Sequence, residues 1–146
     1  MEHILYINTP PVKSGKASSP DGAVNGNGDL SIALGGYADG LRINLSKCDI
    51  REGLEEHGKG GAKPLGYIDV PVAAEIYEKY HVEQDMDKGE IRCILGEDGR
   101  GCRLTVRVCK TENSVLLEYA GECGEPTLKV FEGENAGEKG GYEKNG

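Results

Sequence analysis

The sequence predicts an α+β protein that is mainly an antiparallel sheet, arranged as a sandwich or a partly open barrel, with one or two short helices inserted between strand groups. Three observations lead to this prediction. Several short segments alternate apolar and polar residues with a period of two, which is typical of half-buried strands. Glycine-rich turns separate them, since 23 of the 146 residues are glycine. Helical spacing is confined to two short segments.

The first part of the chain predicts a strand, a long loop and a hairpin. The strand covers His3–Asn8, and the loop from Thr9 to Gly28 is rich in Pro, Ser, Gly and Asn without hydrophobic periodicity. A structureless connection of this length is usually functional or disordered, so it is a candidate mobile lid or partner-contacting segment. Asp29–Leu34 and Leu41–Leu45 alternate apolar and polar residues on either side of a Gly-rich turn, which predicts a hairpin.

Two segments in the middle of the chain predict short helices. The first begins at Asp49, where Glu52 has the spacing of a capping box, and ends at Gly58. The second covers Pro71–His81, with the proline at the first helical position and apolar residues along one face. That apolar face consists of Val72, Ala73, Ile76, Tyr77 and Tyr80. We expect this second helix to pack on the sheet.

The last third of the chain predicts further strands and a tail. A hairpin covers Glu90–Lys110 and turns at Gly96–Gly101, and strands follow at Val115–Tyr119 and Thr127–Phe131. Residues 133–146 are rich in Gly, Glu and Lys and lack apolar anchors, which predicts disorder. The predicted organisation is therefore one α+β domain over 1–132, with a mobile loop at 9–28, and a disordered tail over 133–146.

Composition and charge limit the class of protein. The formal net charge is −8, and acidic residues outnumber basic ones between residues 47 and 90. Five cysteines, without a C-x-x-C pair, argue against a disulfide framework and a zinc ribbon. The N-terminal apolar run is too short for a signal peptide, and no run approaches the about 20 apolar residues of a membrane-spanning helix. We therefore expect a reduced, cytoplasmic protein without a membrane segment.

Four arginines and one tyrosine form the predicted binding site. They are Tyr6, Arg42, Arg92, Arg103 and Arg107. The arginines occupy polar positions of predicted strands, and we expect them to share the solvent face of one sheet. Such a face could bind phosphates or a carboxylate-rich partner, and the tyrosine could add a stacking platform for a base. The alternative is an ordinary solvated face on which the arginines pair with cross-strand acids such as Glu90 and Glu118.

Catalytic and metal-binding patterns are weak. Residues 25–29 place oxygen-bearing side chains at the alternate spacing of a calcium loop, but the later Glu of an EF-hand is missing, so a turn is the preferred interpretation. Cys48 with His57 or His81 supplies the residue types of a nucleophile or a zinc site, yet no local spacing brings them together. We therefore predict no catalytic residue, no metal and no cofactor.

The lack of catalytic motifs favours a small, acidic, non-catalytic protein that binds a protein or nucleic-acid partner. A mobile-element accessory protein or an inhibitor of nucleic-acid machinery would have this character. One alternative is a small enzyme or metabolite-binding protein with its site under the loop 9–28. A second is an oligonucleotide-binding barrel, because three strands, a helix and further strands are the element order of that fold. The sequence predicts no particular oligomeric state.

Overall fold

The computed structural model describes residues 2–11, 22–51, 62–97 and 100–131. Within these ranges it contains ten strands and one short helix. The strands are β1 (Ile4–Ile7), β2 (Val24–Gly26), β3 (Leu30–Tyr37), β4 (Gly40–Arg51), β5 (Ala62–Pro71), β6 (Tyr80–Asp85), β7 (Glu90–Glu97), β8 (Arg100–Val108), β9 (Val115–Gly121) and β10 (Thr127–Val130). The helix is α1 (Ala74–Tyr77).

The strands form two five-stranded sheets in which neighbouring strands are antiparallel. Sheet 1 has the order β1-β6-β7-β8-β9, and sheet 2 has the order β10-β5-β4-β3-β2. The chain crosses between the sheets after β1, β5 and β9. The inner faces of both sheets contribute to one hydrophobic core, with Ile43 and Val70 from sheet 2 and Val82 and Leu104 from sheet 1 almost fully buried. The prediction of a mainly antiparallel sheet protein is confirmed, and an open sandwich or barrel describes it.

Both hairpins predicted from period-two alternation are present. Leu34 lies opposite Ile43 in the β3–β4 pair, and Cys93 lies opposite Leu104 in the β7–β8 pair. All four side chains are buried, so the apolar half of each alternation faces the core. The strands predicted near the end of the described chain are also present, as β9 and β10.

The helix predicted over Pro71–His81 is wrong, because the segment contains a single helical turn. Pro71 ends β5, and the residue before α1 has extended backbone angles, φ −56° and ψ 144°. Tyr80 then begins β6, where it pairs with Leu95. The apolar residues of the segment are still buried, namely Val72, Ile76, Tyr77 and Tyr80. A single helical turn followed by a strand buries these apolar residues as fully as a helix would. In addition, the backbone of β6 forms hydrogen bonds with β7.

Three other predictions fall partly or wholly outside the described residues. The loop predicted from Thr9 to Gly28 contains strand β2, which pairs with β3, while residues 12–21 lie outside the described ranges. Asp49, the predicted start of the first helix, lies in β4, and residues 52–61 lie outside the described ranges. The predicted tail over 133–146 also lies outside them.

Strands β5 and β6 are absent from the sequence prediction. In β5, Pro64 and Gly66 obscure the alternation, and the register shifts there, since Ser46 lies opposite Pro64 whereas Leu45 lies opposite Gly66. This shift is a β-bulge that leaves one extra residue, Leu65, on β5. With these strands counted, five strands precede α1 and five follow it. The element order that suggested an oligonucleotide-binding barrel therefore does not hold.

Candidate functional site

The two central hairpin strands of sheet 1 present arginines to solvent. Along β7 and β8 every second side chain is buried in the core, and the residues between them lie on the opposite face, which we call the outer face of sheet 1. Arg92, Arg103 and Arg107 all lie on this face. The period-two pattern of the sequence predicted this orientation, and the structure confirms it for these three arginines.

Strand register arranges the outer face of sheet 1 into cross-strand rows. One row contains Tyr6, Glu83, Arg92, Thr105 and Glu118. A second row contains His81, Ile94, Arg103 and Ala120. A third row contains Ile4, Asp85, Glu90, Arg107 and Leu116. The first and third rows each contain two acids and one arginine, whereas the second row has no acid.

Arg92 is held by three carboxylates. Its Nη2 lies 2.8 Å from Glu83 Oε2, and its Nη1 lies 3.1 Å from Glu90 Oε1 and 3.7 Å from Asp85 Oδ2. The hydrogen bond from Arg92 is the main reason that the pKa of Glu83 is lowered. The guanidinium of Arg92 is thus paired with acids of its own sheet. This pairing is the alternative that the sequence left open, an ordinary solvated face with cross-strand ion pairs.

Arg107 is paired in the same way at the other side of the hairpin. Its Nη2 lies 3.0 Å from Glu118 Oε2, and its Nη1 lies 3.7 Å from Glu90 Oε2. Glu90 therefore bridges Arg92 and Arg107 across β7 and β8. Acids on the same face therefore neutralise two of the four arginines of the predicted binding site, Arg92 and Arg107.

Arg103 differs from both of its neighbours. Its side chain is exposed, and it forms no ion pair with any residue that the structure describes. The residues beside it in its row are Ile94, which is 38% exposed, and Ala120. Within the described ranges, therefore, no acid pairs with the guanidinium of Arg103, which lies beside an apolar surface.

Arg42 does not share this face, which corrects the predicted site. It lies on β4 in sheet 2, so it is separated from the other three arginines by the core. Its guanidinium donates two hydrogen bonds to Asp69, and its Cζ lies 3.6 Å from the ring centroid of Tyr67. The sequence could not show this separation, because alternation assigns a residue to a face of its strand but does not say which strands share a sheet.

Tyr6 lies on the outer face of sheet 1, as part of its edge strand. Its side chain is 55% exposed and stacks on His81, with ring centroids 5.9 Å apart and an interplanar angle of 26°. His81 Nδ1 lies 2.6 Å from Asn8 Oδ1, and Nε2 lies 3.5 Å from Glu83 Oε1, so the imidazole is held on both sides. A fixed imidazole supports the phenol ring while one side of the tyrosine faces solvent.

Four residues thus form a continuous exposed surface across β1, β6, β7 and β8. We call Tyr6, His81, Ile94 and Arg103 the Tyr6–Arg103 patch. His81, Ile94 and Arg103 follow one another in register, and Tyr6 stacks on the histidine. Ile94 was not predicted as a surface residue. Its position between the inward residues Cys93 and Leu95 was the available signal, because an apolar residue there must face outward.

Asp85 is a buried carboxylate on the outer face of sheet 1, with 3% of its surface exposed. It accepts a hydrogen bond from the backbone N–H of Lys88 at 3.0 Å, and the Lys88 Nζ lies 3.3 Å away. The backbone hydrogen bond is the main reason that its pKa is lowered. Asp85 therefore fixes the turn between β6 and β7 in its charged form, which is a structural role.

The side chains of the calcium-like run 25–29 hold a turn. Asn27 Oδ1 accepts hydrogen bonds from the backbone N–H groups of Asp29 and Leu30, at 3.0 and 2.8 Å. Asp29 in turn lies 3.1 Å from Lys47 Nζ and accepts a hydrogen bond of 2.6 Å from Asn113. Among the described residues, no group of three or more His, Cys, Asp or Glu side chains is placed to hold a metal ion. The side-chain oxygens of Asn27 and Asp29 therefore stabilise the turn and its contacts.

Cys48 and His81 are not brought together. Cys48 lies on β4 of sheet 2, whereas His81 lies on the outer face of sheet 1, and His57 lies outside the described residues. The Cys48 thiol donates a hydrogen bond of 3.1 Å to Asp29, which is the main reason that its pKa is raised. A raised pKa reduces the thiolate fraction, so this environment does not activate a nucleophile.

A surface depression of about 430 Å³ lies where the β3–β4 turn meets the chain crossing after β5. Its lining includes Asp39, Pro71, Ala73 and Glu122. The lining of this depression includes no described residue of the loop 9–28, and the described ends of that loop contact the core. Ala23 is 2% exposed, and the Tyr77 hydroxyl donates a hydrogen bond to the carbonyl of Pro11 at 3.3 Å.

Comparisons with protein-family models, with curated proteins and with solved structures found no match to this chain. Within the described ranges, the structure contains no helix with the length and apolar character that crossing a membrane requires. The function must therefore be inferred from the geometry of the chain itself.

Proposed function

We propose that this chain is a non-catalytic binding protein that engages a protein partner through the Tyr6–Arg103 patch. The observation that carries the proposal is that an exposed tyrosine, an exposed isoleucine and an arginine without a partner among the described residues lie side by side. Tyrosine and arginine are enriched among the residues that dominate the energy of protein–protein interfaces. The single arginine beside apolar surface fits a partner that offers a carboxylate next to an apolar side chain.

The scaffold under the patch is rigid. The strands β6, β7 and β8 are paired on both sides within sheet 1, and their inward residues Val82, Cys93 and Leu104 are almost fully buried. A surface that is already ordered loses little conformational entropy on binding. This arrangement supports binding without a conformational change in sheet 1.

A protein partner is favoured over nucleic acid by the charges of the outer face of sheet 1. Glu83, Glu90 and Glu118 neutralise Arg92 and Arg107. These acids, and a chain of net charge −8, would repel a phosphate backbone. Affinity for nucleic acid depends on several cations that no acid of the protein neutralises. Nucleic-acid binding is therefore treated as an outcome of the test.

The finer functional predictions remain proposals. The five cysteines are free thiols, which agrees with a reducing, cytoplasmic location. A role as a mobile-element accessory protein or as an inhibitor of nucleic-acid machinery is compatible with a protein-binding patch. The enzyme or metabolite-binding alternative is not favoured by any contact among the described residues.

The test is capture of partners by the immobilised protein, followed by reconstitution. The wild-type chain and the Arg103→Ala, Ile94→Ser and Arg100→Ala variants are compared, and each captured protein is identified and purified. Arg100 is a matched control because it lies on the same strand, is exposed and pairs with Glu122 outside the patch. We expect Arg103→Ala and Ile94→Ser each to weaken binding of the purified partner by at least about tenfold, and Arg100→Ala to have little effect.

Two results would contradict the proposal. Equal affinity of the Arg103→Ala and Arg100→Ala variants would show that the patch is not the site. Capture of nucleic acid with an affinity that falls steeply with salt, and that depends on Arg103, would replace the protein partner with a nucleic-acid partner.

A further inference from the structure

Two cysteines meet where sheet 1 leads into the crossing toward sheet 2. Cys102 lies on β8, faces the core and has no exposed surface. Its register partner on β9 is Gly121, and Cys123 follows two residues later. Cys123 is partly exposed, packs against the core and forms an isolated β-bridge with Val72 at the end of β5.

A tight turn brings the two thiols together. Gly121 has a φ of +95°, which favours glycine, and the backbone N–H of Cys123 donates to the carbonyl of Gly121 at 3.0 Å. The neighbouring N–H of Glu122 donates to Gly101 at 2.8 Å, which fixes the turn to β8. As a result, Cys123 lies beside Cys102 at the edge of the core, and its own thiol donates to the carbonyl of Ala120 at 3.9 Å. Burial raises the pKa of the Cys102 thiol, and the nearby Cys123 adds to this effect.

The third thiol of this region, Cys93, is a useful contrast. It faces the core from β7 and is 1% exposed. Its register partner is Leu104, and Cys102 is its diagonal neighbour, opposite Leu95. Its burial raises the pKa of its thiol. Cys93 is thus closed to reagents, whereas Cys123 is partly accessible to solvent.

We propose that Cys102 and Cys123 are an oxidisable pair that a low-molecular-weight disulfide converts into an intramolecular disulfide. In the first step the Cys123 thiolate attacks the reagent disulfide, RSSR, which gives a mixed disulfide and releases one thiolate, RS⁻. In the second step the Cys102 thiolate attacks the Cys123 sulfur and releases the second RS⁻. The two cysteines lose two electrons and two protons, and one RSSR becomes two RSH.

The second step is slow at neutral pH. Burial is the main reason that the pKa of Cys102 is raised to about 12, so little thiolate is present at neutral pH. The pair therefore oxidises slowly near pH 7 and faster at higher pH. Once formed, the bond ties β8 to the crossing that leads from β9 to β10.

The test is oxidation of the folded chain by glutathione disulfide in a Cys48→Ser/Cys109→Ser background, which removes two of the five thiols. We expect the number of free thiols, counted after denaturation, to fall from three to one without retained glutathione. Peptide mapping should identify a bond between Cys102 and Cys123. We also expect the rate to rise with pH, and the melting temperature to increase by about 5–10 °C after oxidation.

Three single variants separate this proposal from general thiol reactivity. Cys93→Ala is the matched control, because it removes an equally buried thiol and should leave the bond intact. Cys102→Ala should stop the reaction at a glutathione adduct on Cys123, and Cys123→Ser should prevent any reaction of Cys102 in the folded chain. The proposal is overturned if all three thiols of the background protein persist, or if the bond that forms includes Cys93.

Discussion

Arg42 and Asp69 form a two-point ion pair between β4 and β5 on the outer face of sheet 2. Arg42 Nε donates to Asp69 Oδ1 at 2.7 Å, and Nη2 donates to Oδ2 at 2.8 Å. The two residues are register partners, and their side chains are only 22% and 14% exposed. The guanidinium also covers the ring of Tyr67. Arg42 therefore serves to hold sheet 2 together, although its position in the sequence resembles that of the exposed Arg103.

The first prediction concerns the stability that this pair provides. We expect Arg42→Ala to lower the free energy of unfolding by about 2–3 kcal/mol, because it leaves Asp69 partly buried without its partner and removes the ring contact. Arg42→Lys should cause about half of that loss, since an ammonium group cannot make two parallel hydrogen bonds. Urea denaturation followed by circular dichroism measures both.

Arg103→Ala is the matched control for this prediction. Arg103 is exposed and has no ion pair among the described residues, so its removal should change the free energy of unfolding by less than about 0.5 kcal/mol. Equal losses for the two alanine variants would show that the Arg42–Asp69 pair contributes no more than an exposed side chain does.

The second prediction concerns how the stability of the protein depends on pH in the acid range. Glu83 is surrounded by the charged or titratable groups of Arg92 and His81, and the hydrogen bond from Arg92 is the main reason that its pKa is lowered. The folded state therefore binds a proton on Glu83 less readily than the unfolded state does. The stability that this interaction adds is complete above the unfolded pKa of about 4.3, and is lost as the pH falls through the lower folded value.

Thermal unfolding between pH 7 and pH 3 tests this linkage. We expect the melting temperature of the Glu83→Gln variant to fall less on acidification than that of the wild type, because the amide cannot take up the proton. Glu112→Gln is the control, since Glu112 has no ion pair among the described residues. Parallel curves for wild type and Glu83→Gln would contradict the expectation.

The third prediction concerns Asn27, which joins the two sheets at one end of the core. Besides its two turn hydrogen bonds, its Nδ2 donates to the carbonyl of Cys109 at 2.9 Å. We expect Asn27→Ala to lower the free energy of unfolding by about 2–3 kcal/mol, because several backbone groups lose their partner together. Asn44→Ala, which removes one hydrogen bond of 3.3 Å to Ala33, should cost about 1 kcal/mol or less.

Calcium provides a separate check on the same residue. If Asn27 serves the turn, as its hydrogen bonds indicate, millimolar calcium should not change the melting temperature of the wild type. A stabilisation that depends on calcium and disappears in Asn27→Ala would instead support the metal-binding hypothesis for residues 25–29.

The candidate surface was predictable in part. Alternation along β7 and β8 predicted that Arg92, Arg103 and Arg107 face solvent, because the direction of a strand side chain depends on its position in the strand. The carboxylates Glu90 and Glu118 were foreseen as alternative partners, and the structure confirms these contacts. The stacking of Tyr6 on His81 was not foreseen, since it needs β1 to pair with β6, which follows only after four other strands.

The helix predicted over Pro71–His81 shows why local periodicity can mislead. The spacing of Ile76, Tyr77 and Tyr80 fits a helical face, and all three are indeed buried. The pairing of β6 with β7 supplies backbone hydrogen bonds to the second half of this segment, and a helix there would leave the edge of β7 unpaired. Pairing with a distant strand therefore outweighed a local preference.

The sequence by itself determined the strands with clear alternation, the turns between them and the face on which each side chain lies, because all of these depend on neighbours a few residues away. Only the tertiary structure decided which strands share a sheet. It placed Arg42 and Arg103 on opposite sides of the core, stacked Tyr6 on His81 and brought Cys123 near Cys102. These contacts join residues far apart in the chain, and their stability comes from filling one common core and pairing every inner strand, which no local segment specifies.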